Sequence, residues 1–348
     1  VIAPSIVVAG AGGVGKTTIS AAVAAALARD GRKALVMTVD PALRLADALG
    51  VELTSDPEPV AGSPHLWAAM LDVTTSWEAI VHRYAAPDVA DRLLVNPFFR
   101  AIADRFPAAQ AYAGGEQMAE FIESGMWDVV VVDTPPAGGG IDFFLAPGQV
   151  RELIGGKLLM WLTGARLPGR RMLYRITARP MLKLADAVLG GPLLEDVAEF
   201  LLDLRTMHDG LSVRAQTIQR HLARADTLIV TTADPTPAQE TARFFATLEE
   251  VDVRPKAVVF NRALPAEWAA AARRPVRGID DAAVRGFVRE NLKRWGAEAR
   301  RQADAREELA TRHDVPLATV PWMAEAPDTV AELVALFDAA HGLTEAVG

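Results

Sequence analysis

Residues 5–28 read Ser5-Ile-Val-Val-Ala-Gly10-Ala-Gly-Gly-Val-Gly15-Lys16-Thr17-Thr18, then Ile19-Ser-Ala-Ala-Val-Ala-Ala-Ala-Leu-Ala28. The middle of this stretch, residues 10–17, fits G-x-x-x-x-G-K-[ST] without a gap, and its flanks suit that motif. The apolar run 6–9 reads as a buried strand and the alanine-rich run after Lys16 as a helix. Glycines between a strand and a helix let consecutive N–H groups turn inward around a phosphate, and the helix N-terminus adds its positive end. On that reading Gly12, Gly13, Val14, Gly15 and Thr18 form the cradle. Lys16 reaches the β- and γ-phosphates, and the Thr17 hydroxyl ligates Mg²⁺. The stretch therefore predicts binding of a nucleoside triphosphate with Mg²⁺.

Further strands follow the same pattern of short, nearly all-apolar runs: 34–39, 129–132, 227–231, 257–260 and 317–320. Such runs suit parallel strands covered on both faces, and their alternation with helical stretches predicts a doubly wound α/β sheet of the P-loop NTPase class. Two long intervals carry helical rather than strand signals. The expected organisation is a discontinuous core (1–73, 126–146 and 226–348) with an inserted helical subdomain (74–125 and 147–225). A third helical excursion, 265–312, is highly charged.

Two acidic residues close predicted strands. Asp40 follows the run ending at Val39 and precedes Pro41-Ala42. There it can face the crevice at the carboxyl end of the sheet, or simply cap a helix. Asp133 closes Val129-Val130-Val131-Val132 and precedes Thr134-Pro135-Pro136, the Walker B pattern in which a carboxylate holds the Mg²⁺ water shell. Residues 137–140, Ala-Gly-Gly-Gly, read as a permissive segment, either a switch that responds to the γ-phosphate or a simple flexible loop.

Taken together these motifs resemble the deviant Walker A ATPases of the arsenical-pump and tail-anchored-protein-targeting family. The resemblance rests on residues 10–18, on Val39-Asp40-Pro41-Ala42 with Leu45 and Asp47, and on Asp133-Thr134-Pro135-Pro136. It extends to Phe260-Asn261-Arg262 and Val320-Pro321-Trp322-Met323, and is nearest to the actinobacterial anion-transporting-ATPase-like members. It implies an ATPase dimer with ATP at its interface, in which Lys16 binds phosphate and Asp40 positions the hydrolytic water. It also implies that Asp133 senses the γ-phosphate, Asn261 hydrogen-bonds the adenine, and Pro321 and Met323 lie over the base. One departure matters: the family's second lysine belongs where Ala11 stands. Slow turnover, a substitute cation such as Arg44, or a lysine-bearing paralogue as partner would each accommodate that change, so a homodimer and a heterodimer both stay open.

The 348-residue chain has no cysteine, which excludes disulfides, thiolate chemistry and a zinc-cysteine clamp, and argues against arsenite transport. The formal net charge of −8 argues against general nucleic-acid binding. No stretch reads as a targeting signal or a membrane span, so a cytoplasmic protein is expected. Residues 157–183 depart from this acidic background, with seven Lys or Arg and no acid. They suggest an anionic membrane surface or a hydrophobic client, with peripheral membrane attachment as a corollary; a solvated helical face is the alternative. The six histidines show no metal-ligand spacing. Two other functions stay in view: a nucleotide-binding regulatory subunit with weak hydrolysis, and a partition or septum-site type ATPase acting on DNA or membrane.

Overall fold

Eight strands in the order β3-β4-β2-β5-β1-β6-β7-β8 form one sheet. They are β1 (Ser5–Gly10), β2 (Ala34–Thr38), β3 (Glu58–Pro59), β4 (Leu66–Met70), β5 (Val129–Asp133), β6 (Asp226–Thr231), β7 (Pro255–Ala263) and β8 (Leu317–Pro321). All pairings are parallel except that of β3 with β4. The structure is a computed structural model that describes residues 4–135, 138–155 and 193–348. The basic segment 157–183 lies outside the described residues, as do Pro136 and Ala137. The described residues form the mostly parallel α/β sheet expected of a P-loop NTPase.

The central strands β1, β2, β5 and β6 are buried almost throughout, which is why they read as unbroken apolar runs rather than alternating ones. Two strands had no such signal. β4 is Leu-Trp-Ala-Ala-Met, without a β-branched residue, and enters the sheet through burial beside β2 rather than through propensity. β3 is only two residues long.

Helix α1 (Lys16–Arg29) is buried on nearly every side, so its alanines are a packing requirement as well as a helix-forming one. Small side chains let it lie close against the sheet, in a core that includes Val8, Val36, Val131 and Leu333. β1 connects towards β2 on one side, whereas β6 connects towards β7 on the other. Ligands of open parallel sheets bind beyond the carboxyl ends of strands at such a divergence.

The chain separates into two units. The first comprises Val1–Met70, Phe121–Ile141 and Ala223–Gly348 and holds the sheet; the second comprises Leu71–Glu120 and Asp142–Leu222. In the first unit lie α1, α2 (Arg44–Leu49) and all the described helices that follow β6. The second is helical where described: α3 (Val73–Tyr84), α4 (Pro87–Val95), α5 (Pro97–Arg105), α6 (Pro107–Glu123), α7 (Gly138–Gly155), α8 (Leu193–Thr206) and α9 (His208–Arg224), with α6, α7 and α9 extending a few residues into the first. Trp77 stacks on Tyr112 and meets Phe99 edge-on, and Arg83 and Arg214 both bind the buried carboxylate of Glu116.

Residues 138–140 are not loop but the first turn of α7. Gly140 is there for space: a Cβ would stand 2.9 Å from Phe244 Cζ, on α10 (Pro235–Glu250). Four further helices complete the first unit's described elements: α11 (Ala266–Ala271), the long α12 (Ala282–His313), α13 (Val330–Asp338) and the short α14 (Leu343–Val347).

Candidate nucleotide site

Gly15 lies in the left-handed region at φ 96° and opens α1, whose first turn closes with Ile19 N–H donating to Gly15 O at 3.0 Å. Gly13, at φ 76°, makes the preceding bend. With Gly10 at φ 147°, these positive angles account for glycine at three of the loop's positions. At Gly15 space is limiting as well, since a Cβ would fall 2.3 Å from Asn261 Nδ2. That amide donates to Val14 O at 2.8 Å, tying the end of β7 to the loop.

Lys16 donates from Nζ to Gly10 O at 3.1 Å and to Ala11 O at 2.9 Å. Burial lowers the pKa of its ammonium, against the pull of the Asp133 and Asp40 carboxylates. Beside it, Thr17 Oγ1 donates to Asp133 Oδ2 at 2.8 Å, and Thr38 Oγ1 donates to the same oxygen at 3.0 Å. Asp133 is completely buried and its other oxygen, Oδ1, has no hydrogen-bond partner among the described residues. Burial pushes its pKa up to about 6, although the two hydroxyls and Lys16 oppose the rise. A buried carboxylate with a spare oxygen, one hydrogen bond from a threonine hydroxyl, is an all-oxygen donor set that fits Mg²⁺. No group of three or more His, Cys, Asp or Glu among the described residues forms a metal-holding cluster.

Asp40 stands just beyond β2. Its Oδ1 accepts from Ala42 N–H at 3.0 Å, and its Oδ2 accepts from Arg44 at 3.0 Å. It is not the cap of α2, whose N-cap position is Leu43. Thr134 anchors the far side, its hydroxyl donating to Val8 O at 2.9 Å.

A cleft of about 430 Å³ gathers Gly13, Gly15, Lys16, Thr17, Thr18, Asp40, Arg44, Asp47 and Thr134 with Arg262, Ala326, Pro327 and Asp328. Of the residues singled out in the sequence, Gly12, Val14, Asp133 and Asn261 do not line it. Val14 and Asp133 lie buried behind it, and Asn261 faces an adjoining hollow of about 370 Å³ with Arg262 and Trp322. Pro321 ends β8 beside Ala263, and Met323 is half-exposed; neither lines either space. Sequence reasoning missed Thr38, whose one signal is a hydroxyl at the last position of an apolar strand. It also missed Ala326-Pro327-Asp328, which only a turn-forming Pro-Asp pair announces. Ala11 is buried, 3% exposed, and belongs to the core beneath the loop.

The raised pKa of Asp133 makes a test. A carboxyl that binds its proton more tightly in the folded chain contributes stability that is full below about pH 3.8 and lost as pH rises through about 6. In magnesium-free buffer the wild type is therefore expected to lose stability relative to Asp133→Asn between about pH 4 and pH 7. Thermal melting of both proteins across that range checks this, and parallel curves would contradict it.

The chain is similar to known proteins over much of this region. The family model described as anion-transporting ATPase matches residues 4–277. ATPase GET3 of Malassezia globosa is 30% identical over 145 residues, 42% of this chain and 43% of that protein. ATPase GET3 of Rhodotorula glutinis is 28% identical over 204 residues, 59% and 54% respectively. A putative arsenical pump-driving ATPase of Prosthecochloris vibrioformis is 22% identical over 264 residues, 74% of this chain and 60% of its own. The chain spans about half the length of the curated relatives it matches.

Proposed function

The chain belongs to the anion-transporting ATPase family, and from that premise we propose that it binds MgATP in the cleft beneath residues 10–18 and hydrolyses it. The observation that carries this is the convergence of Thr17 and Thr38 on one oxygen of the buried Asp133, with Lys16 and Asp40 beside it. On this reading the N–H groups of residues 12–18 and the Lys16 ammonium hold the phosphate tail. Thr17 Oγ1 and, through water, Asp133 would hold Mg²⁺, whose charge screens the phosphates. Asp40 orients a water for attack on the terminal phosphate and takes up its proton as the new bond forms. Asn261 would hydrogen-bond the adenine, a role supported by the hollow it shares with Trp322 beside the cleft.

We take the working form to be a cytoplasmic dimer, with a second copy or with a lysine-bearing paralogue. Its nucleotide state would govern a partner bound through the inserted segments 74–125 and 147–225. Two features support the coupling. Helix α7 starts five residues after Asp133 and carries the chain from the first unit into the second. Within the second unit an apolar hollow of about 300 Å³, lined by Trp77, Phe99, Phe106, Val150, Phe200 and Leu204, offers an apolar partner a seat. No helix among the described residues is long and apolar enough to cross a membrane.

A second reading, a nucleotide-binding subunit that hydrolyses slowly, is favoured by one observation: the buried methyl of Ala11 presents no cation. Phosphate release from MgATP, measured for the chain alone and with its paralogue, separates the two. Measurable turnover by the chain alone supports the ATPase, whereas turnover only in the mixture supports the subunit. None in either case removes both. Native mass with and without a non-hydrolysable ATP analogue tests the dimer, and a monomer in both samples would contradict it.

A further inference from the structure

Arg44 opens α2 and faces the nucleotide cleft. Its guanidinium donates to Asp40 Oδ2, and the two side chains are unequally exposed, 60% for Arg44 and 11% for Asp40. The pair thus sits at the rim with the acid turned inward. With Ala42 N–H on Oδ1, both oxygens of Asp40 are occupied by neighbours from its own segment.

Three cations line the cleft among the described residues: Lys16, Arg44 and Arg262. Lys16 is engaged by the loop carbonyls, and Arg262 follows Asn261 at the end of β7. Ala11 is buried, so position 11 supplies nothing. Asp40, Asp47 and Asp328 face the same space, so a triphosphate entering it meets carboxylates as well as cations. Of the three cations, Arg44 is the one hydrogen-bonded to a carboxylate that lines the cleft. It is close enough to Lys16 to lower that group's proton affinity, and a largely exposed i,i+4 ion pair is weakly held.

Resting on the ATPase reading above, we propose that Arg44 leaves Asp40 for the terminal phosphate of the nucleotide bound in its own chain. Guanidinium binds phosphate oxygens through parallel N–H groups, and a terminal phosphate carries more charge than one carboxylate. The exchange does two things at once. It places a cation on the phosphate where Ala11 provides none, and it frees the carboxylate that positions water. ADP has no third phosphate, so with ADP Arg44 stays on Asp40 and the carboxylate stays occupied. The i,i+4 pair is then a sensor that distinguishes the two nucleotides.

Calorimetric titration of the full chain with MgATP and with MgADP tests this, using wild type, Arg44→Ala and Arg44→Lys. The alanine variant is expected to lose about tenfold in MgATP affinity and less than about twofold for MgADP. The lysine variant keeps the charge but not the fork, and is expected to fall between. A purely structural role for Arg44 would move both affinities together, so equal losses, or none, overturn the proposal while leaving nucleotide binding intact. Wild type that binds neither nucleotide overturns the ATPase reading and this inference together. Arg44 is exposed enough that neither substitution disturbs the core.

Discussion

Asparagine in place of Asp40 is expected to lower ATP turnover by about a hundredfold or more while MgATP affinity changes by less than about threefold. The side chain keeps its shape and can still accept from Ala42 N–H, so the segment after β2 holds its turn. What goes is the negative charge and, in the proposed mechanism, the basicity that would draw a proton from the attacking water. Loss of an interaction made mainly in the transition state lowers kcat and kcat/KM together. The contact with Arg44 also weakens, which makes unchanged or slightly tighter MgATP binding the expected direction. Phosphate release at saturating MgATP, paired with calorimetry on the same preparation, checks both halves. Turnover at the wild-type rate would assign Asp40 to the turn alone.

The second large effect concerns the loop's first glycine. Gly10→Ala is expected to cost more than about 4 kcal/mol and to leave little folded protein. Gly10 has φ 147°, and a Cβ there would stand 2.2 Å from Val230 O, a main-chain atom of the neighbouring strand β6. Nothing flexible is available to move, because β1 and β6 are central strands and their pairing sets where the loop begins. Gly13→Ala is the control in the same loop. Its φ is also positive, at 76°, but no atom lies within 4 Å of the added carbon, so about 1–2 kcal/mol of backbone strain is the whole expected penalty. Chemical denaturation of the two variants, read against wild type, should show that order. Equal stabilities would mean that β1 and β6 do not meet as described.

The glycine–lysine loop was legible because its demands are local. Three positive φ angles, at Gly10, Gly13 and Gly15, an alanine-rich helix that must pack tightly, and an apolar strand in front all leave marks within about twenty-five consecutive residues. The valine quartet of β5 was legible for the same reason. β4 was not, since its alanines carry no strand preference and only burial beside β2 makes them a strand. The surroundings of Asp133 were half legible. An aspartate ending a buried strand can be read from sequence, but its partners Thr17 and Thr38 come from α1 and β2, 116 and 95 residues away in the chain. Contacts of that separation leave no periodic trace. The Asp40–Arg44 pair lies at the other extreme: Arg44, in the segment after Asp40, could be named as a substitute for the missing lysine, and only the cleft showed that it binds Asp40 and faces the site. Residues 138–140 misled because three glycines suggest a loop, whereas Gly140 is required by the close approach of Phe244 within a helix.

In the proposed function this cleft grips the phosphate tail of a nucleotide through Lys16 and the loop amides, and Thr17 and, through water, Asp133 would hold Mg²⁺. Calorimetry of wild type and Lys16→Ala with ATP, each with and without magnesium, tests it most directly. The expected result is magnesium-dependent heat for wild type and at least about a hundredfold weaker binding, or none, for the variant. Wild type and Lys16→Ala giving the same isotherm, or no heat from either protein, would contradict the account.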